Sequence, residues 1–183
     1  MSDFFCIFVL ATCTGMRLGE YSALMPKDVQ KLEYGCKIFV SKQFTHNVLK
    51  DRNKTIGSTR IVDASDMVYR VIQWHIKKYN IPQDDFLFRA EEGGNIYAKW
   101  VERRFKKLLK LCGYPDDFCR VHDLRGQFVD IMHLIGVPIA HTSRQVGHSD
   151  TKITNREYTQ ILNELPTIYN KKLDELIFKD FKI

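Results

Sequence analysis

No stretch of this chain approaches the ~20 consecutive apolar residues that a membrane-spanning helix needs, and no two of its cysteines fall at C-x-x-C spacing. The longest apolar run, Phe4 to Cys13, is preceded by Asp3 and by no Lys or Arg, so it lacks the basic front of an export signal and reads as a buried helix. Five cysteines (Cys6, Cys13, Cys36, Cys112, Cys119) make an odd count. That pattern fits reduced thiols in a cytoplasmic protein, not a disulfide frame or a zinc site. Glycine (10) and proline (5) are too few for a collagen-like or linker-rich chain, and there is no internal repeat or low-complexity segment. What remains is ordinary globular material, 44% hydrophobic and 27% charged. Its 183 residues suffice for one domain with a core that needs no staples. The balance of 28 Lys+Arg against 22 Asp+Glu, a net +6, suits a polyanionic partner without requiring one.

The periodicities predict an α+β domain that is mainly helical. Ser2 can cap a helix over Phe4–Thr14, which Gly15 would stop, and a short helix over about Leu18–Met25 would close at Pro26. From Lys37 to Asp63 the pattern changes. Ile38-Phe39-Val40 and Ser58–Val62 read as strands, Asn47-Val48-Leu49 is ambiguous, and together they predict a small antiparallel sheet of about three strands. Helical spacing returns with Met67, Val71, Trp74 and Lys78 on one stripe, Val68 and Ile72 beside it, and Pro82 as the break. Phe86-Leu87-Phe88 reads as a short buried segment. Further helices are expected over about Ala98–Cys112, His122–Ile135, Ile139–Val146, Asn155–Asn163 and Leu165–Phe181, with Gly113, Gly136 and Gly147 at helix ends. Trp74, Phe105, Leu108 and Leu109 read as core.

Four separated clusters carry chemistry. Thr14-Gly15-Met16-Arg17-Leu18-Gly19-Glu20 places an arginine directly after a glycine turn at a helix start. A polar hairpin holds Lys54-Thr55. His122-Asp123-Leu124-Arg125 puts His122 and Arg125 on one helical face. Gly147-His148-Ser149-Asp150 is followed by Tyr158. Two arginines can grip the non-bridging oxygens of a phosphodiester and stabilise the charge that develops at phosphorus. A tyrosine is an oxygen nucleophile, histidines move protons near neutral pH, and a lysine can protonate a departing oxygen. No carboxylate cluster suited to Mg²⁺ accompanies them, which implies a metal-free, cofactor-free route. Taken singly, each residue has a plainer use: Arg17 as a helix cap or Glu20 partner, Lys54 as a solvated lysine, His122 as a half-buried histidine, Tyr158 as a surface tyrosine. The joint pattern argues against those uses.

In order and separation, Arg17, Lys54, His122-x-x-Arg125, Gly147-His148 and Tyr158 resemble the catalytic domain of the tyrosine recombinases, the phage integrase family. The resemblance runs from about Cys13 to Thr159. It implies the family's catalytic-domain fold over residues 1–183 as a single domain, with the core-binding and arm-binding domains absent from this chain. It implies a site-specific recombinase or integrase acting on double-stranded DNA, as a homotetramer in the synaptic complex, with a monomer open for the isolated domain. By the same resemblance Tyr158 would form a 3′-phosphotyrosyl link, Arg17 and Arg125 would bind the scissile phosphate, His122 and His148 would contact its oxygens, and Lys54 would be the general acid. Lys50 and Lys42 share the hairpin region; Lys54 is preferred to Lys50 because it precedes the Ile61-Val62 strand by about the family's distance. Alternative readings are a type IB topoisomerase-like enzyme and a catalytically silent DNA-binding accessory protein.

The other histidines (His46, His75, His133, His141) read as structural, and Glu20 and Asp123 as groups that orient backbone or arginines. Gly126-Gln127 and Val146 depart from the family's usual wording. The apolar positions Leu162, Leu165, Ile168, Leu173, Leu176, Ile177 and Phe181 suit a C-terminal helix that docks either on a neighbouring protomer or on its own domain.

Overall fold

In a computed structural model of the chain, residues 4–51, 60–89, 96, 98–147 and 165–179 are described. The first helix, α1 (Phe4–Thr14), lies at the centre, which is why its sequence is apolar on every side rather than along one stripe. Phe4, Cys6, Ile7, Val9, Leu10, Ala11, Cys13 and Thr14 are all buried. Its two threonines satisfy their hydroxyls within the helix, Thr12 on the Phe8 carbonyl (2.9 Å) and Thr14 on the Leu10 carbonyl (2.6 Å). All five cysteines are free thiols, and burial pushes that of Cys36 up to about 12.

After α1 come a one-turn helix, α2 (Leu18–Tyr21), and a 3-10 turn over Pro26–Asp28. The helix expected to reach Met25 stops early because Pro26 and the Asp28 carboxylate, which accepts from the Met25 amide (2.9 Å), start a new turn. Among the described residues the strands form two sheets instead of one. Strands β1 (Val29–Lys31), β2 (Cys36–Val40) and β5 (Arg60–Ala64) make an antiparallel sheet in the order β1-β2-β5, with Ile38 opposite Val29 on one side and Val62 on the other. Its inner face, Cys36, Ile38, Val40, Val62 and Ala64, is buried. Strands β3 (Lys42–Thr45) and β4 (Val48–Asp51) form a separate hairpin. Its two-residue turn, His46-Asn47, takes positive φ at both positions, the I′ geometry that matches strand twist. The hairpin is held by close approach: a Cβ on Gly19 of α2 would lie 2.2 Å from the Phe44 carbonyl oxygen.

Helix α3 (Asp66–Tyr79) is capped by Ser65, whose hydroxyl accepts from the Val68 amide (3.4 Å). It buries Val68, Val71, Ile72 and His75, so of the expected Met67–Val71–Trp74–Lys78 stripe only Val71 is buried and the inward face is rotated toward Val68 and Ile72, while the Lys78 ammonium covers the Trp74 ring. His75 Nε2 donates to the Leu87 carbonyl (2.8 Å), a structural role as expected. Helices α4 (Ala98–Leu111), α5 (Asp123–Leu134) and α6 (Ile139–Val146) follow nearly as the periodicity predicts. Phe105 and Leu109 are buried, with Leu108 half-buried beside them. The helix expected over Asn155–Asn163 lies outside the described residues. The last helix, α7 (Leu165–Phe178), folds onto its own domain: Leu173 is fully buried, and Asp174 accepts from the Tyr34 hydroxyl (2.7 Å) and the Met67 amide (3.3 Å).

Candidate active site

The site is organised by the C-terminal end of α6. A helix end leaves carbonyl oxygens without intrahelical donors and carries partial negative charge. Gly147 closes this end in the left-handed conformation (φ 70°), its amide bonding to the Ser143 and Arg144 carbonyls. Three consecutive carbonyls then each accept from a different arginine. Gln145 receives Arg60 Nε (2.8 Å), Val146 receives Arg125 Nη2 (2.6 Å), and Gly147 receives Arg17 Nη2 (3.3 Å). Guanidinium groups suit this position because their charge is delocalised and their forked N–H donors can serve several acceptors at once.

Each arginine arrives from a different element. Arg125 sits in the first turn of α5, buried, and its Nη1 also donates to the Gly15 carbonyl, so its fork ties the turn before Arg17 to the end of α6. Arg17 is the N-cap of α2, with a side chain 37% exposed, and so faces solvent more than Arg125 does. Glu20, fully buried one turn later, accepts from the Arg17 amide (2.7 Å) and from Arg17 Nη1 (3.2 Å). This is the orienting role expected of Glu20. Burial alone would push its carboxyl up, but hydrogen bonding and charge from Arg60, then from Arg17, hold it below its ordinary value.

His122 immediately precedes α5 and is exposed, not half-buried, one helical turn before Arg125. Asp123 accepts from the Arg120 amide (2.8 Å) and guanidinium (3.1 Å), orienting backbone and an arginine as expected. Lys54, His148 and Tyr158 lie outside the described residues. Of the alternative lysines, Lys42 is drawn to Asp28 (3.5 Å) and Lys50 is exposed on β4. Gly126 and Gln127 are exposed, and Val146 is buried close to Gly15 and Phe128. Thus Arg17 and Arg125 are brought together beside the backbone that leads into His148.

One residue here was not singled out from the sequence. Arg60 clasps both Glu20 oxygens, Nη1 on Oε1 (2.5 Å) and Nη2 on Oε2 (2.7 Å). The signal was available in the strand's period of two, which puts Arg60 on the same face as buried Val62 and Ala64 while apolar Ile61 faces out. An inward-facing arginine among core residues needs a buried partner.

Among the described residues, no three His, Cys, Asp or Glu side chains gather as metal ligands, and no helix is long and apolar enough to cross a membrane. Residues 4–164 match the model of the phage integrase family. The chain is 25% identical, over 93% of its length, to a tyrosine recombinase XerC-like protein of Caldanaerobacter subterraneus, and 23% identical, over 90%, to the integrase of Staphylococcus phage L54a. It spans about half the length of these curated relatives (49% and 50%). Among solved structures it resembles the Tn1549 transposon integrase bound to circular-intermediate DNA, with a TM-score of 0.66 at 22% identity over 84% of this chain and 52% of that one. It also resembles XerA recombinase, with a TM-score of 0.64 at 19% identity over 99% of this chain and 57% of that one.

Proposed function

The chain belongs to the phage integrase family, and from that premise we propose that it carries the catalytic machinery of a site-specific DNA recombinase that cleaves and rejoins strands through a 3′-phosphotyrosyl intermediate. The observation that carries the reading is the convergence of Arg17 and Arg125 on the end of α6, next to His148 in sequence. Both are anchored through backbone carbonyls, so their positions are fixed before any substrate arrives, as electrostatic stabilisation of a transition state requires.

In this reading the scissile phosphate is held by Arg17 and Arg125. The Tyr158 hydroxyl attacks phosphorus and gives up its proton with the help of His122. The bond from phosphorus to the 5′ oxygen breaks, and Lys54 protonates that oxygen as it leaves. His148 donates to a non-bridging oxygen. Rejoining runs in reverse, with a 5′-hydroxyl from a partner strand attacking the phosphotyrosyl link. One phosphoester is exchanged for another, so the cycle requires neither ATP nor a metal. The DNA partner is double-stranded, and synapsis brings copies of the chain together as a tetramer, as the family resemblance implies. The surplus of cations on α4 (Lys99, Arg103, Arg104, Lys106, Lys107 and Lys110 against Glu102) suits the DNA backbone.

The test is a duplex nicked beside the cleavage position, from which the short 5′-hydroxyl strand diffuses away and traps the covalent complex. Wild-type protein is expected to form a phosphotyrosyl adduct in the presence of EDTA, and Tyr158→Phe none. An adduct formed by Tyr158→Phe, or abolished by the chelator, overturns the reading.

A further inference from the structure

Arg60 has no part in the chemistry just described, yet its side chain is only 11% exposed and spans three elements. It leaves β5, clasps both oxygens of Glu20 on α2, and donates Nε to the Gln145 carbonyl at the end of α6. Its outer guanidinium also lies against Gly147, where a Cβ would come within 2.9 Å of Nη1. The Gln145 side chain reaches back, its Nε2 donating to the Asp63 carbonyl of β5 (2.9 Å). The strand that follows the Lys54 segment is therefore tied to the helix that precedes His148.

The consequence concerns Arg17. A buried carboxylate draws any guanidinium within reach into a two-pronged pair. Arg60 already meets both Glu20 oxygens at 2.5 and 2.7 Å, and Arg17 meets one of them at 3.2 Å and the Gly147 carbonyl at 3.3 Å. Long single hydrogen bonds of this kind orient a side chain without consuming its fork. We propose that Arg60 is a positioning residue: by occupying Glu20 it keeps the Arg17 fork turned toward the phosphate, and by holding Gln145 it fixes the end of α6 against the same group. The proposal rests on the reading of Arg17 as a phosphate-binding group.

The experiment measures single-turnover cleavage of the nicked duplex by the full chain, with folding checked by thermal melting. Arg60→Met frees Glu20 to capture Arg17 and is expected to slow adduct formation about 100-fold, the scale of losing one preorganised donor. Arg60→Lys recovers only part of this, since an ammonium cannot clasp two oxygens and reach Gln145 together. Two further readouts separate positioning from bulk stability. Adding Glu20→Gln to Arg60→Met removes the competing charge and is expected to restore at least about tenfold of the rate. A methylphosphonate at the scissile position, which carries no negative charge to neutralise, is expected to shrink the Arg60→Met defect to a few fold. Wild-type rates in Arg60→Met or Arg60→Lys overturn the proposal. So do equal losses on both substrates with no recovery in the double variant. If Arg60→Met does not fold, Arg60→Lys carries the same two comparisons. Absence of adduct in the wild type is a different result: it strikes down the recombinase reading and the role of Arg60 with it.

Discussion

Gly147 shows how much the site asks of one position. Its φ of 70° lies in the left-handed region, which costs an L-residue about 1–2 kcal/mol, and its missing Cβ leaves room for the Arg60 guanidinium. Gly147→Ala is expected to lower stability by about that cost, a shift of a few degrees in Tm. Cleavage is expected to fall further, by at least about tenfold, because Arg60 must move and the carbonyl that accepts from Arg17 moves too. Melting curves and single-turnover rates on the same preparation check this; a rate that falls no more than the small change in folded fraction would place Gly147 in helix capping alone. At this scale the sequence was most readable where a residue acts through its own neighbours. The pairing of Arg17 with Glu20 three residues on, and of Asp123 with the backbone before it, follows from local spacing. Arg60 pairs with a residue 40 positions away, and no local pattern announces such a partner beyond an arginine on the inward phase of a strand.

Apart from α2, which stops short of Met25, and the helix expected over Asn155–Asn163, which lies outside the described residues, the helices were legible nearly to their ends, helped by caps such as Ser65 before α3, Asn80 after it, and glycine after α6. Strands were less so. Strand β1 is three residues long, too short for a period, and the β3-β4 hairpin turns on His46-Asn47 without the glycine that usually marks an I′ turn. Neither strand of that hairpin has a buried face, so its register comes from the turn and from its seat on Gly19, not from hydrophobic alternation. Helix α6 also carries a pH dependence. His141 is buried between β5 and α7 with its Nε2 unpartnered among the described residues. Burial lowers its pKa from the ordinary 6.5, the nearby Arg144 charge acts in the same direction, and Asp63 and Gln145 offset part of the effect. With the folded value depressed, the unfolded chain binds this proton first, so the contribution to stability is intact above pH 6.5 and declines as pH falls below it. Between about pH 7.5 and 5.5 the wild-type Tm is expected to drop, and to drop less in His141→Asn. Parallel pH profiles for the two would place the acid sensitivity elsewhere.

Across the whole molecule the charge is polarised. Of the net +6, α4 alone contributes a surplus of five, from six cations against Glu102. Its apolar residues Val101, Phe105 and Leu109 face the core, and Lys99, Arg103, Lys106 and Lys107 line an exposed stripe opposite. Lys110 is paired with Asp116 (3.1 Å) and Arg104 lies over the Trp100 ring, so those two have local uses. Four neighbouring cations with little acid between them raise the local potential and cost self-repulsion, which a counter-charge as dense as a phosphate backbone relieves. Replacing all four by Gln should change stability by no more than about 0.5 kcal/mol per substitution, since they are exposed. DNA affinity should fall, and the slope of log Kd against log salt should shrink by roughly one for each phosphate no longer neutralised. The control removes like charges elsewhere, Lys77, Lys172 and Lys179, all exposed on or beside α3 and α7. If DNA lies along α4, the control changes the salt slope far less than the α4 variant does. Equal effects would mean that net charge alone attracts the polyanion, and that the basic face of α4 is solvated surface.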